Sequence, residues 1–372
     1  MSPTPDRDAS SVRAIAFYLP QFHPIPENDE WWGRGFTEWT NVAKAKPLFR
    51  GHYQPHVPTD LGFYDLRCSE TRAAQAELAG EYGIEGFCYW HYWFAGKRLL
   101  ERPFEEVLQT GHPNFPFCLG WANETWSGIW HGAPNRILME QTYPGMSDHE
   151  EHFRYLLKAF SDRRYIQVAG KPMLVIYKPL KLPESKRVFE YWRELAHRAG
   201  LKGLYIVGVL SGDELPDLEK HGMDAVTFSN QGKIMKAASA TISYRLSSAL
   251  RRALNRNCPQ HVYRYADAIK HLIEEVPLSV PYHPTVIPNW DNTPRSGERG
   301  LVLHGSTPEL FRQHLRQALQ KVADVTADTR ILFLKSWNEW AEGNHFEPDL
   351  HSGKRYLEVL KDEIVTTSKQ GN

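Results

Sequence analysis

The sequence predicts an α/β fold of the (β/α)8 class, a TIM barrel with long loops at the C-terminal face of its strands. Eight short apolar runs alternate with helix-like segments, and several of these runs end in polar and aromatic residues. No glycine-rich phosphate loop accompanies them, which disfavours a doubly wound open sheet. Within the 372 residues we expect a disordered segment at 1–12 and a single domain at 13–365.

The eight predicted strands are short and apolar, as is typical of buried parallel strands. They are Arg13–Leu19, Ile84–Tyr92, Phe117–Trp121, Pro172–Tyr177, Leu204–Leu210, Asp224–Phe228, Thr285–Pro288 and Ile331–Leu334. The first run stops at Pro20, which cannot donate to a strand ladder. Residues 21–41 follow and are rich in Pro, Gly and Trp, and a long loop of this kind in a compact domain is usually functional.

Helix-like segments separate most of the strands. Ser69 is predicted to be the N-cap of one helix, whose inward residues are Ala73, Ala76, Leu78 and Ala79 and whose C-terminal stop is Gly83. Thr307 and Pro308 begin another, with inward residues Leu310, Phe311, Leu315 and Leu319. Further helices are expected near His152–Phe160, Arg187–Ala199 and Tyr265–Val276, whereas the apolar piece Ile137–Glu140 has no assigned role.

The composition favours a carbohydrate partner. Lys plus Arg and Asp plus Glu number 44 each, so no net charge recommends nucleic acid or an anionic membrane. Aromatic residues make up 12% of the chain and include 12 Trp, many of them beside polar residues. We see no secretory signal peptide and no apolar run near the ~20 residues of a membrane span. The four cysteines lack CxxC spacing, which predicts reduced thiols in a cytoplasmic protein without a bound cofactor.

A basic segment lies between the sixth and seventh predicted strands, at about 229–262. No Asp or Glu occurs between Ala225 and Ala266, whereas seven basic residues do: Lys233, Lys236, Arg245, Arg251, Arg252, Arg256 and Arg264. One interpretation is a solvated insertion. The other is a cationic surface that contacts an acidic glycan or a lipid-linked phosphate.

Two carboxylates follow the last strand and are the candidate catalytic pair. Glu339 and Glu342 are three residues apart, which on a helical turn would place both on one face about 5 to 6 Å from each other. Sugar chemistry needs two carboxyls with opposite protonation states, and we expect Glu342 to be the protonated one. The alternative is a structural ion pair of one glutamate with Lys335 or Arg355. Glu124, which follows the third strand, is a weaker candidate.

Other polar and aromatic residues near the strand ends are predicted to bind substrate, because sugars present hydroxyls and flat ring faces. They are His23, Trp32, Glu38, Trp39, His56, Trp90, His91, Trp121, Asn123, Glu124, Trp126, Trp290, Asp291, Arg295, Trp337, Asn338, Trp340 and His345. Some of the tryptophans could instead be core residues, and Asp291 and Glu38 could cap loops. The histidines lack HExxH or similar spacing, so we expect no metal.

Several sequence motifs resemble those of the WbsX-type, glycoside hydrolase family 99-like proteins. The motifs are Leu19-Pro20-Gln21-Phe22-His23, Asn28-Asp29-x-Trp31-Trp32-Gly33, Gly35-Phe36-Thr37-Glu38-Trp39, Gln54-Pro55-His56, Leu61 to Arg67, Trp121-Ala122-Asn123-Glu124, Trp290 to Arg295 and Trp337 to Gly343. The resemblance covers about residues 13 to 360. It implies a (β/α)8 barrel related to the family 99 endo-α-mannosidases and a place among proteins of O-antigen or capsule assembly, which are frequently labelled glycosyltransferases.

The resemblance also implies a mechanism. The positions of Glu339 and Glu342 match the two catalytic carboxylates of family 99. There, the first deprotonates the sugar 2-hydroxyl, which displaces the leaving group to give a 1,2-anhydro sugar, and the second acts as acid and then as base. Ala341 stands where the mannosidases have His, and the N-terminal loop differs, so the resemblance does not extend to mannose specificity.

Three functions are therefore open from the sequence. The first is a retaining glycoside hydrolase acting on a bacterial surface polysaccharide or its precursor. The second is a glycosyltransferase that assembles such a polysaccharide, but residues 13–360 contain neither a Rossmann-like half nor an Asp-x-Asp metal pair. The third is a non-catalytic glycan-binding barrel, for which two intact carboxylates would be unexpected.

Overall fold

The computed structural model describes residues 12–128, 133–211, 217–239, 258–275 and 277–370. Within them, eight parallel strands occupy all eight predicted positions. They are β1 (Arg13–Tyr18), β2 (Ile84–Phe94), β3 (Phe117–Trp121), β4 (Lys171–Ile176), β5 (Tyr205–Leu210), β6 (Ala225–Phe228), β7 (Thr285–Val286) and β8 (Ile331–Leu334). Nearly all of their residues are buried, which explains why continuous apolar runs identified them.

The strands form an almost closed barrel. Neighbouring strands pair in the order β6, β5, β4, β3, β2, β1, β8, β7, and every pairing is parallel. The residues before β7 close the ring: Val226 N donates to Pro281 O and His283 N donates to Val226 O, both at 2.9 Å. The Thr227 and Thr285 hydroxyls are 2.6 Å apart across the same junction. The predicted (β/α)8 class is confirmed.

Helices surround the barrel and cover its loops. Those of the described residues are α1 (Pro26–Trp32), α2 (Glu38–Lys44), α3 (Ser69–Glu81), α4 (Arg102–Thr110), α5 (Met146–Phe160), α6 (Ser185–Arg198), α7 (Gln231–Ser239), α8 (Tyr265–Ala268), α9 (Thr293–Ser296), α10 (Pro308–Lys321) and α11 (Arg355–Gln370). Short 3-10 turns lie at Pro179–Lys181, Leu218–His221, Ile269–His271, Gly297–Arg299, Ala327–Thr329 and Trp340–Glu342. Among the described residues, no helix combines the length and the apolar character that crossing a membrane requires.

Local sequence explains where helix α10 begins. The Thr307 side chain accepts a hydrogen bond from Leu310 N at 3.3 Å, and Pro308 occupies the first turn of α10, where its missing N–H is no loss. In helix α3 the N-cap residue is Cys68 and no side chain caps the helix, so the prediction of Ser69 as the N-cap is wrong by one residue. Ala73 is exposed, because its position turns away from the strip of buried residues on the helix.

The predicted helix over Tyr265–Val276 is only partly present. Helix α8 ends at Ala268 and a 3-10 turn continues to His271, whereas Val276 lies outside the described residues. Short strands complete the structure at Lys97–Leu99, Trp126–Gly128, Ala133–Met139, Gln167–Val168, His261–Arg264, Leu301–His304, Asn338–Glu339 and Asn344–His345. The apolar piece at Ile137 belongs to one of these, which pairs with Trp126–Gly128 in an antiparallel hairpin.

The basic segment between β6 and β7 is described only in part, since residues 240–257 lie outside the described ranges. Two of its basic residues have acidic partners elsewhere. Lys233 pairs with Glu274, and Arg264 pairs with Asp267 at 3.6 Å. These two cations are therefore offset by carboxylates that lie beyond the segment itself.

Candidate active site

A cavity of about 780 Å³ opens at the carboxyl ends of the barrel strands. Residues at or just after five strand ends line it together, namely Leu19, Tyr92, Glu124, Trp290 and Ser336. This convergence is expected when parallel strands share one face, and it brings Glu124 and Glu339 to the same space. The volume lies within the range of small-molecule pockets.

About half of the predicted site residues border this cavity. They are Trp32, Glu38, Trp90, Glu124, Trp126, Trp290, Arg295, Glu339 and Glu342. The set combines four indole rings, four carboxylates and one guanidinium. These are the group types that recognition of a sugar requires.

Arg295 is the charged centre of the site. Its Nη1 donates to Glu342 Oε1 at 2.6 Å, its Nη2 to Glu339 Oε2 at 3.0 Å, and its Nε to Glu38 Oε1 at 2.8 Å. The side chains of Glu339, Glu342 and Arg295 are only 12%, 13% and 15% exposed. One buried guanidinium thus holds both candidate catalytic carboxylates, so Arg295, which was predicted to bind substrate, positions these groups and also lines the cavity.

The site holds more carboxylates than cations, and the pKa values of two of its glutamates are raised. Burial and the negative charges of Glu342 and Glu38 raise the pKa of Glu339 to about 8, although Arg295 and Lys335 oppose the shift. Burial likewise raises the pKa of Glu38 against the attraction of Arg295. Burial and the neighbouring negative charges therefore favour the protonated form of Glu339 at neutral pH, whereas the sequence predicted Glu342 as the protonated partner.

Asp291 positions the Arg295 loop and does not line the cavity. Its carboxylate accepts hydrogen bonds from His52 Nε2 at 2.6 Å and from Gln54 Nε2 at 2.7 Å, and it also receives the Thr293 hydroxyl at 2.6 Å. Burial alone would raise the pKa of Asp291, but the hydrogen bonds from these donors outweigh burial and lower that pKa. The side chain is 2% exposed and has no room for a sugar, which corrects its prediction as a ligand.

The segment that carries the two glutamates is pinned on both sides. Asp291 N donates to Glu342 O at 2.6 Å, and Gly343 has φ +55°, where a side chain would also meet Asp291 Cβ at 3.0 Å. On the other side Asn338 bonds both the N–H and the carbonyl of Leu19, at 2.7 and 3.0 Å. Asn338 is fully buried and therefore positions the glutamates without touching the cavity.

Aromatic rings form the floor and one wall of the cavity. Trp90 lies flat on Phe17, with ring centres 4.8 Å apart and planes at 2°, and Phe17 stacks in turn on Phe333. Trp126 meets the edge of Tyr92 with ring centres 5.0 Å apart. Rings that are locked by such packing give a sugar a rigid apolar face at little entropic cost.

Many lining residues were absent from the predicted set, among them Lys335, Tyr92 and Tyr177. Lys335 Nζ lies 5.4 Å from the centre of the Trp290 ring and 3.3 Å from the Ser229 hydroxyl. Burial lowers the pKa of Lys335, although both candidate catalytic glutamates oppose this shift. Tyr92 and Tyr177 also line the cavity. Their position at strand ends was the available signal, but apolar strand context made them look like core.

The remaining tryptophans predicted as sugar ligands are structural. Trp121 and Trp337 are at most 1% exposed, and Trp337 packs on Phe87 within the barrel core. Trp340 is also 1% exposed and donates to Glu347. Trp39 donates to Tyr64 O at 2.7 Å and packs on Trp340. Trp121, Trp337 and Trp340 are thus buried in the protein, and Trp39, which is partly exposed, does not line the cavity.

The predicted histidine and amide ligands also lie outside the cavity lining. His91 Nε2 is 2.9 Å from His152 Nε2, and His56 Nδ1 is 2.8 Å from His345 Nε2. His23 is 1% exposed. Asn123 donates to Lys178 O at 2.9 Å and to the Tyr143 hydroxyl at 3.0 Å, where it fastens the ends of β3 and β4 together. These residues are buried and do not line the cavity.

Glu124 stands at the edge of the site and differs from the central pair. It lines the cavity but is 39% exposed, and it forms a salt bridge of 2.9 Å with Lys181. Arg295, by contrast, contacts only the other three carboxylates among its described ion-pair partners. Position and exposure suit Glu124 for a substrate hydroxyl more than for proton transfer.

Glu347 is a buried acid that the sequence interpretation missed. Its carboxylate receives Tyr64 Oη at 2.8 Å, Gln75 Nε2 at 2.6 Å and Trp340 Nε1 at 2.5 Å. Burial raises its pKa to about 7. It lies behind Trp340 and supports the segment that carries the two glutamates. The sequence offered only a weak signal for this residue, namely that Glu347 precedes Pro348 at the end of the segment that carries the two glutamates.

Comparison with known proteins finds relatives that are similar in sequence and others that are similar in fold. The family model described as glycosyltransferase WbsX matches residues 14–360. The uncharacterized protein WxcX of Xanthomonas campestris pv. campestris strain B100 is 36% identical over 353 residues, which cover 94% of this chain and 49% of that protein. The chain thus spans about half the length of the curated relatives it matches. The WbsX resemblance seen in the motifs is confirmed.

Solved structures with the same fold include an endo-alpha-mannosidase of glycoside hydrolase family 99 from Bacteroides thetaiotaomicron. It aligns with a TM-score of 0.60 at 15% identity and covers 96% of this chain and 98% of its own. A glycoside hydrolase-like protein aligns with a TM-score of 0.58 at 16% identity, over 98% and 97% of the two chains. At these identities the likeness establishes the barrel fold.

Proposed function

This chain belongs to the glycosyltransferase WbsX family, and from this premise we propose that it is a retaining glycoside hydrolase. Its substrate would be a bacterial surface polysaccharide of the O-antigen or capsule type, or a precursor of one. The observation that carries the proposal is the placement of Glu339 and Glu342 on the guanidinium of Arg295, inside a cavity with indole walls. Two adjacent carboxyls and aromatic platforms are what hydrolysis of a glycosidic bond requires.

The proposed chemistry uses the two glutamates in turn. Glu339 takes the proton of the sugar 2-hydroxyl, and the 2-oxygen attacks the anomeric carbon while Glu342 protonates the departing oxygen. Water then opens the resulting 1,2-anhydro sugar: Glu342 removes a proton from the water and Glu339 returns one to the 2-oxygen. Each step conserves protons, and two displacements at the anomeric carbon leave its configuration unchanged.

The raised pKa of Glu339 makes its ionised form a good base for the 2-hydroxyl of the sugar. A carboxylate whose conjugate acid has a pKa of about 8 is a stronger base than an ordinary glutamate, and general-base catalysis improves as that pKa approaches the working pH. The cost is that only part of the enzyme is in the active protonation state at neutral pH. The mechanism needs one proton on the pair, carried by Glu342 while Glu339 is ionised. We therefore expect activity to fall as pH rises through about 8, where the pair loses that proton.

A glycosyltransferase is the second candidate, because the family description names that activity. A nucleotide-sugar enzyme commonly binds the diphosphate through a metal held by aspartates. Among the described residues, the residues that line the cavity include no aspartate. A non-catalytic glycan-binding barrel remains the third candidate. It would not need a carboxyl with a pKa near 8 beside a second glutamate.

The proposed partners are uncharged or acidic glycans. Lys335 places one cation in the cavity, where it could accept an acidic sugar. The basic segment at 229–262 could contact an acidic glycan or a lipid-linked phosphate, although two of its cations are already paired within the protein.

Incubation of the purified protein with the polysaccharide of its own host, with and without nucleotide sugars, distinguishes the candidates. Hydrolysis releases new reducing ends without a nucleotide sugar, whereas transfer requires one and lengthens the glycan. Binding alone changes neither. Glu339→Gln serves as the inactive control for hydrolysis, and Glu124→Gln tests whether the peripheral carboxylate matters as much.

A further inference from the structure

A second cluster of polar side chains lies outside the candidate active site. His56 Nδ1, His345 Nε2 and one oxygen of Asp349 face one another, and all three atoms lie within 4.8 Å of each other. The two nitrogens are 2.8 Å apart, and Asp349 Oδ2 lies 3.8 Å from His56 Nδ1 and 3.7 Å from His345 Nε2. None of the three is more than 8% exposed.

Neighbouring backbone groups orient two of these side chains. His345 Nδ1 lies 2.9 Å from Glu347 O, which places the proton on Nδ1 and turns the lone pair of Nε2 toward the cluster. Asp349 Oδ1 accepts from His351 N at 3.0 Å and from Ser352 N at 2.5 Å, which leaves Oδ2 facing the two rings. Support of this kind from a carbonyl or a backbone N–H is typical of metal ligands.

The charge of Asp349 lacks a cationic partner of its own. Among the described residues, its ion-pair contacts are only the two imidazoles, and no Lys or Arg reaches it. Two ring nitrogens that are 2.8 Å apart cannot both carry a proton on the facing side. The buried carboxylate therefore faces at least one bare lone pair, an arrangement that is costly unless a cation lies between the groups.

We propose that His56, His345 and Asp349 bind one divalent transition-metal ion, with zinc as the reference metal. Two imidazoles and one carboxylate match the ligand preferences of zinc, whose bonds of about 2.0 to 2.2 Å place neighbouring tetrahedral ligands about 3.4 Å apart. The present distances bracket that value, so small ring movements suffice. A water molecule would complete the coordination.

The metal would act as a structural link to the catalytic segment. His56 belongs to the loop after β1, whereas His345 and Asp349 follow the two glutamates in sequence. The His345 ring stacks on Trp340 with ring centres 3.8 Å apart, and Trp340 directly follows Glu339. An ion at this place would tie the N-terminal loop to the segment that holds Glu339 and Glu342. This inference does not depend on whether those glutamates hydrolyse, transfer or only bind.

Short sequence spacing could not reveal the site, because His56 and His345 are 289 residues apart. The four-residue step from His345 to Asp349 was the only local signal. The proposal replaces our expectation that the histidines bind no metal. A hydrogen bond between the two rings, without metal, is the competing interpretation that an experiment must separate.

Cobalt(II) titration of chelator-treated full-length protein provides the test. Tetrahedral Co²⁺ absorbs visible light, and equilibrium dialysis with elemental analysis gives the stoichiometry. We expect one Co²⁺ per chain and a rise of the melting temperature with added Zn²⁺, because an ion bound only by the folded state stabilises it. Asp349→Asn and His56→Gln should each weaken binding at least ~10-fold. Asp267→Asn, at an exposed aspartate, is the matched control and should bind as the wild type does.

Two results would overturn the proposal. Absence of cobalt absorption and of a melting shift in the wild type would show a metal-free hydrogen-bonded pair. Equal binding by the wild type, Asp349→Asn and His56→Gln would place the ion elsewhere. Using two ligand variants keeps the test valid if one of them fails to fold.

Discussion

Replacing Glu38 with Gln should lower the pKa of Glu339, because Glu38 is one of the two charges that raise it. Both carboxylates contact Arg295 Nη2, at 2.5 Å for Glu38 and 3.0 Å for Glu339, so the two oxygens are at most the sum of these distances, 5.5 Å, apart. Two like charges at that separation repel by about 3 kcal/mol at an effective dielectric constant of 20. The shared guanidinium reduces this, and we expect a decrease of about 1 to 2 pKa units.

The carboxyl C=O stretch of the protein, followed by infrared spectroscopy against pH, measures this change without a substrate. The wild type should show one carboxyl that titrates near 8, and its assignment follows from its loss in Glu339→Gln. In Glu38→Gln the same band should titrate about 1 to 2 units lower. Gln keeps the oxygen that accepts from Arg295, so the geometry of the site is preserved. Glu124→Gln is the control, since Glu124 pairs with Lys181 and should leave the titration in place.

The lower pKa of Glu339 in Glu38→Gln should also appear in the kinetics. Because catalysis needs one proton on the pair of glutamates, kcat/KM should fall as pH rises through about 8 in the wild type, and this fall should begin at a lower pH in Glu38→Gln. An unchanged titration in Glu38→Gln would refute the electrostatic account. A value of kcat/KM that still rises above pH 8 would show instead that catalysis does not need a proton on the pair.

Four further predictions concern the same site. Glu339→Gln and Glu342→Gln should each lower kcat at least ~10²-fold with the fold intact, and an activated leaving group should rescue Glu342→Gln more, as steady-state kinetics can measure. Arg295→Met should destabilise the protein by about 3 to 5 kcal/mol in urea unfolding, because it leaves buried carboxylates without their cation. Trp90→Ala should raise KM about 3- to 10-fold through loss of a sugar platform, with a small change in kcat. Glu339 holds its proton up to about pH 8 in the folded protein but not in the unfolded chain, so it should make stability fall with rising pH between the ordinary glutamate pKa and about 8, by up to about 1.4 kcal/mol per unit. Glu339→Gln should reduce this dependence and leave the part that is due to Glu347, whose pKa is raised to about 7.

The barrel could be predicted because its strands are marked locally. Strands such as Ile331–Leu334 are buried on both faces and therefore consist of consecutive apolar residues, which can be recognised in the sequence. The helix expected over Tyr265–Val276 failed because tertiary packing, with Tyr265 Oη bonded to Ile287 O at 2.6 Å, determines that stretch more than helical periodicity does.

The sequence analysis named the two candidate catalytic carboxylates but did not identify the side chain that contacts them. Glu339 and Glu342 could be found from their position after a buried strand, whereas their partner Arg295 lies more than 40 residues away in sequence. We had considered Lys335 or Arg355 as the partner, and Arg355 instead donates to backbone carbonyls near its own helix. Trp121 and Trp337 were indistinguishable from Trp90 in composition. Only the direction of each side chain separates a core ring from a cavity wall.

The proposed hydrolysis through an internal 2-hydroxyl is tested most directly with a matched pair of substrates. Each would carry the same activated leaving group on the sugar that the enzyme cleaves from its host polysaccharide, one with the 2-hydroxyl and one as the 2-deoxy analogue. We predict that the hydroxylated substrate is hydrolysed with retention of anomeric configuration, that Glu339→Gln abolishes this, and that the 2-deoxy substrate is not cleaved. Cleavage of the 2-deoxy substrate at an ordinary rate, or loss of activity in Glu124→Gln equal to that in Glu339→Gln, would contradict the account.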